Sequence, residues 1–523
     1  MDRRAFIKAA GGAVAGASAV SIMDPTAALA STGHNRPSPP PPLPAPPFTL
    51  GVASGEPTHD GVVLWTRLAP DPLIPGGGMP ATPYRVDWEV ASDERFRRVV
   101  RRGHVTTVPE EGHSLHLQLH GLRDDATYWY RFRAGGEVSP TGRTRTAPRP
   151  GKRLDHLRFA TASCQNYQDG YYVAHRALAQ EDLAFVVFLG DYIYEGRPSA
   201  TALRQHDGVD EPYSLDDYRG RHARYRSDGD LQSCHAAFPW LVTFDDHEVD
   251  NNWADEIPQD PANQPQEAFL ARRAAAFQAY WEHMPLPPSA KPRGIDIPLY
   301  RRFGWGDLLQ VDVLDTRQYR SDQPADLAGA NDPAATMFGA EQEEWLFRGL
   351  RRSRARWNVL AQQTMVAQND RSAGPVEVFD FDNWDGYRVP RQRLLGELAR
   401  VANPVVLTGD RHATWVSDLK ADFYDPASPA VGAELTGTSI SSGSDGSRDA
   451  FHATYDPIKA ESPHWKFIDN GRGYLVCDVD RERWLTDLRT MSTVRSQDAT
   501  VSTYARFVTE AGRKGVEVVG GVA

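Results

Sequence analysis

Only three of the 523 residues are cysteine (Cys164, Cys234 and Cys477), too few for a disulfide-stapled scaffold, and the odd count leaves at least one thiol unpaired within a chain. Lysine is nearly as scarce, 7 of 58 basic residues, and the arginine excess reads as codon composition rather than as a phosphate-binding surface. With 69 acidic residues the formal net charge is −11, which excludes a generally basic nucleic-acid binder, and no nucleic-acid-binding module is expected. Beyond the N-terminal segment no run approaches the roughly 18 apolar residues a membrane span requires, so the mature chain is expected to have no such span. What is present, 40% hydrophobic and 10% aromatic residues, supports a substantial core.

Arg3-Arg4-Ala5-Phe6-Ile7-Lys8 precedes a weakly apolar stretch from Ala9 to Met23, and Ala28-Leu29-Ala30 offers a small-residue cleavage site. Residues 1–30 resemble a twin-arginine export signal. That implies the twin-arginine export machinery as a partner and a periplasmic or secreted mature protein. The route carries folded cargo, so a metal can be inserted before export. Pro37 to Pro47 lacks the donors and the φ freedom for helix or sheet, and residues 31–47 are expected to be a proline-rich linker.

From Phe48 to about Arg149 the pattern has period two, as in Val62–Arg67, Tyr84–Val90, His113–His120 and Ala126–Arg133, which predicts a small all-β sandwich domain over residues 48–149. In Leu115-His116-Leu117-Gln118-Leu119-His120 the two histidines fall on the solvent side. After Thr146–Arg153 the pattern changes to short, continuous apolar runs, expected of strands buried on both faces of an α/β catalytic domain over residues 150–523. Glu267–His283 and Glu341–Arg352 are expected helices. Val501 to Ala511 is expected to be a C-terminal helix ending at Gly512, packed on the core or lying over the site as a lid. Cys234 and Cys477 are expected to be separate buried thiols, with a disulfide between them in an oxidising compartment as the alternative.

Four of those runs end in polar clusters: Leu157–Ala160 before Ser163-Cys164, Phe185–Leu189 before Gly190-Asp191, Leu241–Phe244 before Asp245-Asp246-His247-Glu248, and Val405–Thr408 before Gly409-Asp410-Arg411-His412. Ligands of such sheets bind beyond the strand C-terminal ends, so one site built from all four loops is the natural inference. The loops offer a thiolate, a phenol (Tyr194), imidazoles and many carboxylates. Sulfur and phenol beside imidazole suit a trivalent iron, and Asp and Asn oxygens suit Ca²⁺, Mg²⁺ or Mn²⁺, so a mixed-metal centre is expected, with Asp191 the candidate bridge.

The sequence resembles the alkaline phosphatase D (PhoD-like) family of metallophosphoesterases from about Phe48 to the late C-terminal region. The carrying motifs are Gly51–Pro57, Val63–Arg67, Ala162-Ser163-Cys164-Gln165, Leu189–Glu195, Phe244–Asn252, Leu314–Arg320 and Leu407–His412. Ser163-Cys164 stands where the wider superfamily has Asp-x-His, and Asp245-Asp246-His247-Glu248 where it has Gly-Asn-His-Glu, so a purple acid phosphatase is a poorer match. The resemblance implies a metallophosphoesterase-like sandwich of two mixed sheets flanked by helices, preceded by an immunoglobulin- or fibronectin-like β-sandwich. It implies that Cys164, Asp191, Tyr194 and His412 hold Fe³⁺ and that Asp191, Asp246 and Asp410 bind Ca²⁺.

The expected activity is that of an alkaline phosphatase or phosphodiesterase, in which a metal-activated hydroxide attacks a phosphate ester. Asp191, His247, Arg317 and Arg411 are the candidate catalytic residues, and Arg317, Arg320 and His247 the candidate substrate contacts. His247 either meets the phosphate or leaving oxygen or orients a ligand, and Arg411 has a helix-surface role as its alternative. The chain is expected to be a monomer. The competing readings are a non-catalytic phosphate- or metal-binding protein, against which no core ligand is missing, and a serine esterase, which lacks the Gly-x-Ser-x-Gly elbow around Ser163.

Overall fold

The parallel heart of the first sheet follows directly from the uninterrupted apolar runs. His156–Ala162, Val186–Phe188 and Pro239–Val242 pair side by side in parallel, and Val52–Gly55 joins Pro239–Val242 in the same sense. Val186, Val187, Phe188, Leu241 and Val242 are all buried, since β-branched and aromatic side chains fill a sheet covered on both faces. The computed structural model describes residue 43 and residues 45–521; the expected export signal (1–30) and most of the expected linker (31–47) lie outside the described residues. Antiparallel strands extend both edges of this sheet to ten strands among the described residues, Gly473–Asp480 to Glu517–Gly521 on one side and Val62–Arg67 with Ser114–Leu119 on the other.

A second, seven-stranded sheet has Leu309–Val313, Trp357–Ala361, Pro404–Thr408 and Ala430–Thr436 in parallel at its centre. One core cluster joins the inner faces, with Phe159, Val187, Leu189 and Leu241 of the first sheet against Val311, Trp357, Val359, Val405 and Leu407 of the second. Each such fully buried side chain contributes about 1.5–3 kcal/mol. Helices Val173–Leu178, Leu215–Arg226, Gly229–Ala237 and Gln266–His283 cover the outer face of the first sheet. Gly339–Arg352, Arg388–Leu398 and Arg448–Glu461 cover that of the second. The result is the expected sandwich of two mixed sheets flanked by helices.

A third sheet built on Tyr84–Ala91, Val99–Thr107 and Thr127–Ala134 packs Val86, Val90, Tyr130 and Phe132 against Val52, Val62, Leu64, Leu115 and Leu119. The strands opposing it therefore belong at once to the N-terminal β-sandwich and to the first sheet, and ladder hydrogen bonds cross the expected boundary near residue 149.

Two expectations are corrected. Val501–Glu510 is a strand paired antiparallel with Arg483–Met491, so no C-terminal helix lies there to act as a lid. Ala505, Phe507 and Thr509 point inward at period two, and a segment rich in Val, Thr, Tyr and Phe favours the pleated surface. His116 is not on a solvent face: its ring stacks on Trp281 at 3.9 Å and its Nδ1 meets Leu286 O at 2.9 Å, and burial pushes its pKa down to about 4. Cys234 and Cys477 are buried, unpaired thiols.

Candidate metal centre

Ala162, Phe188 and Val242 close three adjacent strands of the first sheet, and Thr408 closes the central strand of the second. The segments beyond them carry Cys164, Asp191, Asp245 to Asn252, and Asp410 with His412. The chain turns sharply there. Cys164, Asp191, Asp410 and His412 have φ of 59°, 56°, 61° and 53°. Such positions cost a non-glycine residue on the order of 1–3 kcal/mol and persist where the surroundings over-determine them. Here the Cys164 N–H donates to Gly190 O (3.1 Å), the Gln165 N–H to Asp191 O (3.0 Å), and the Ser441 and Ser442 N–H groups to Cys164 O (3.3 Å each). Gly190 lies at φ 101°, and a Cβ there would come within 2.5 Å of the Asp245 nitrogen, so glycine alone lets the two loops approach.

Two overlapping groups result. Ligand atoms of Cys164, Asp191 and His412 lie within 4.8 Å of one another, as do those of Asp191, Asp246 and His247. The Tyr194 hydroxyl joins the first group: it donates to Asp191 Oδ2 (2.8 Å), lies 2.9 Å from His412 Nε2 and accepts from Ser442 Oγ (2.7 Å). Glu248 ties two of the loops together by accepting from the backbone N–H groups of Asp191 (3.2 Å), Tyr192 (2.5 Å) and Asp245 (2.8 Å).

The electrostatics call for cations. Asp191 Oδ1 and Asp245 Oδ2 are buried without a hydrogen-bond partner. Burial and the charges of Asp382 and Asp246 push Asp410 up to about 8, and burial with Asp191 does the same to Glu248. Burial and Asp191 also drive the Cys164 thiol and the Tyr194 phenol well above their ordinary values. A multivalent cation among these groups reverses that penalty. A sulfur, a phenol and an imidazole on one side of Asp191 and a carboxylate on the other make a donor set that fits metal binding.

Burial opposes a charged His247, but Glu195, with Asp246 and Asp191, outweighs it and holds the imidazole well above the usual histidine range. Its Nδ1 lies 2.7 Å from Glu195 Oε2, and the ring lies 4.1 Å from that of Tyr194. Arg317 and Arg320 are fully buried. Arg317 Nε donates to Asp245 Oδ1 (2.6 Å), and its two terminal nitrogens reach the two Asp382 oxygens (3.0 Å each); Arg320 also pairs with Asp382. Arg411 pairs with Asp380 at 3.3 Å and lies over the Trp415 ring. A cavity of about 570 Å³ elsewhere, against Asp370, Phe423, Glu461 and His464, holds none of these residues.

The structure thus brings together Cys164, Asp191, Tyr194, Asp246, His247 and His412, sets Asp410 within electrostatic reach of Asp246, and turns Arg317 and Arg320 toward carboxylates. Sequence reasoning assigned no role to Glu195, Glu248, Asp382 or Ser442. Glu195 and Glu248 stood inside segments already singled out. Asp382 stood in an irregular stretch whose only signal was the spacing of Asp380, Asp382 and Asp385.

Residues 159–488 match the PhoD-like phosphatase family model, and residues 34–148 match the model of the PhoD-like phosphatase N-terminal domain. The chain is 48% identical over 488 residues to alkaline phosphatase D of Bacillus subtilis (strain 168), across 90% of this chain and 82% of that protein. It matches the solved structure of PhoD with a TM-score of 0.88 at 46% identity, covering 92% of this chain and 94% of that one. The first match spans all four strand ends and every residue of the centre, so the chain belongs to the PhoD-like phosphatase family and is a phosphoric ester hydrolase.

Proposed function

We propose that the protein is an exported alkaline phosphatase and phosphodiesterase whose centre holds Fe³⁺ among Cys164, Asp191, Tyr194 and His412 and Ca²⁺ against Asp191, Asp246 and Asp410. The supporting observation is Asp191 itself: it belongs to both ligand groups, and its Oδ1 has no hydrogen-bond partner among the described residues. When bound, such cations supply Lewis acidity, lowering the pKa of water and offsetting charge on phosphoryl oxygens.

The protein's own residues orient and protonate. Glu195 accepts the His247 Nδ1 proton and is itself held by the Asn251 N–H at 3.0 Å, which fixes the ring and leaves Nε2 as the free nitrogen. A charged His247 donates from Nε2 to a phosphate oxygen or to the departing ester oxygen. Arg317 balances Asp245 and Asp246, and Arg320 holds Asp382 in place for that task. Direct contact with substrate falls to His247 and Arg411, whose side chains are 19% and 10% exposed against 0% for Arg317 and Arg320.

Twin-arginine export, a periplasmic or secreted location and a monomeric state belong to the same proposal; among the described residues no helix is long and apolar enough to cross a membrane. Elemental analysis and visible absorption of the mature protein test it, beside turnover of a monoester and a diester before and after chelation. Iron, calcium, a tyrosinate-to-iron band and chelator-sensitive turnover are expected. A colourless, iron-free protein with full activity would sink the Fe³⁺ assignment.

A further inference from the structure

Arg411 is engaged along one side only. Its Nη1 meets Asp380 Oδ2 at 3.3 Å, and its guanidinium lies 5.2 Å from the Trp415 ring centroid. The side chain is nine-tenths buried, yet Nε has no hydrogen-bond partner, and among the described residues Asp380 is the one with which the Arg411 side chain forms a hydrogen bond or ion pair. The Nε–Nη2 edge is therefore unpartnered, with Nε itself out of solvent. That edge presents two parallel N–H bonds whose spacing matches two oxygens of one phosphate, and a buried donor left unmade is costly. Arg317 Nη2 and Arg320 Nε also lack a hydrogen-bond partner, but both side chains are fully buried, whereas that of Arg411 is 10% exposed. Arg317 is committed to Asp245 and Asp382, and Arg320 to Asp382. The chain neighbours of Arg411 are Asp410 and His412, two residues of the centre.

Asp380 is fixed where it can act on that edge. It is shared between Arg411 and the more exposed Arg371, which reaches Asp380 Oδ2 at 3.4 Å. Its Oδ1 accepts the Asp382 N–H at 3.2 Å. Asp382 is in turn locked between Arg317 and Arg320, so the segment that braces the buried arginines also holds a carboxylate beside Arg411.

We propose that the Nε–Nη2 edge of Arg411 seats the phosphate group of the ester and that Asp380 is the specificity-determining residue that disfavours a second negative charge there; this rests on the phosphatase reading above. Two charges feel Asp380 twice as strongly as one, so a dianionic monoester is penalised more than a monoanionic diester. At a separation of about 8 Å and an effective dielectric of about 40, one carboxylate weakens a single charge about six-fold and a double charge about thirty-fold. Added salt screens the difference, because Asp380 is partly exposed.

The experiment measures kcat/KM for p-nitrophenyl phosphate and bis(p-nitrophenyl) phosphate, which share a leaving group, at low ionic strength and a pH where the monoester is a dianion. The full chain, Asp380→Asn and Arg411→Gln are compared, with inhibition by inorganic phosphate as a second readout. Asparagine keeps an acceptor for the Asp382 N–H, so the segment is retained. Asp380→Asn is expected to raise the monoester-to-diester ratio about six-fold, mainly through KM, and to tighten inhibition by phosphate, both shifts shrinking as salt is added. Arg411→Gln is expected to lower the same ratio and weaken phosphate inhibition. A ratio unmoved by Asp380→Asn, or an Arg411→Gln protein with unaltered KM and phosphate inhibition, would overturn the inference while leaving the phosphatase reading intact. A parent protein that hydrolyses neither ester would refute both.

Discussion

Replacing Asp382 by Asn tests whether the buried arginines serve the scaffold of the centre. Asp382 receives Arg317 at 3.0 Å on each oxygen, Arg320 on Oδ1, and Gln323 Nε2 at 2.7 Å, with Asp382 and both arginines buried. Arg317 keeps a second carboxylate in Asp245 at 2.6 Å, whereas among the described residues Asp382 is the only carboxylate that pairs with Arg320. Asp382→Asn therefore strands the Arg320 charge. Removing one partner of a buried pair costs about 3–5 kcal/mol, a large share of the roughly 5–15 kcal/mol that separates a folded protein from its unfolded chain. Adding Arg320→Met removes the stranded charge at similar side-chain length, so the double variant is expected to recover at least about 2 kcal/mol over the single one. Urea unfolding followed by fluorescence of the 13 tryptophans, with excess chelator so that metal binding does not contribute, reads both values. A single variant that loses less than about 1 kcal/mol, or a double variant less stable than the single, refutes the assignment.

Asp191→Asn is expected to lose metal content and turnover together, measured by elemental analysis and ester hydrolysis on one sample; full activity would refute the bridge. Glu434 is buried and accepts from Val366 N–H (2.8 Å), Ala367 N–H (2.7 Å) and Thr408 Oγ1 (2.8 Å), yet burial pushes its pKa up to about 7. Because the folded value lies above the unfolded one, its contribution is fully present below about pH 4.3 and is lost as pH rises through 7, by up to about 3 kcal/mol. Glu434→Gln cannot ionise, so the stability gap between parent and variant in metal-free protein should change by that amount across the window; a pH-independent gap counts against the argument. In the C-terminal strand, Phe507→Ala is expected to cost about 3–5 kcal/mol and Val508→Ala under about 1 kcal/mol, and the reverse order in urea unfolding would favour a helix.

What was legible in the sequence was what local pattern controls. Val186–Phe188, Pro239–Val242 and Pro404–Thr408 announce themselves as strands buried on both faces because no polar residue interrupts them, and the residues just past their ends gather because parallel strands end on one side. Val501–Glu510 was ambiguous for a physical reason: Val501, Tyr504, Ala505 and Val508 satisfy a helical spacing, while Ala505, Phe507 and Thr509 satisfy a pleated one. Pairing with Arg483–Met491 decided between them, supported by the β-branched content. His116 alternated correctly, but Trp281, from a helix far along the chain, covers the face that alternation had left to solvent.

The arginines show most plainly where local reading ends. Position just after a strand near the centre marks Arg317 and Arg320 as phosphate contacts equally well as Arg411, since a guanidinium carries the same charge in each place. What separates them is the carboxylate each one meets, and those carboxylates, Asp382 and Asp380, lie two residues apart in a stretch without periodicity. Arg317 is held by two carboxylates and Arg320 by one, both with no exposed side-chain surface, whereas Arg411 is held by one and is 10% exposed. On the proposed reading the segment Asp380–Asp382 sets the division of labour among these three arginines, so exchanging that segment should change substrate preference and stability together, whereas exchanging a proposed metal ligand should abolish turnover for every ester alike.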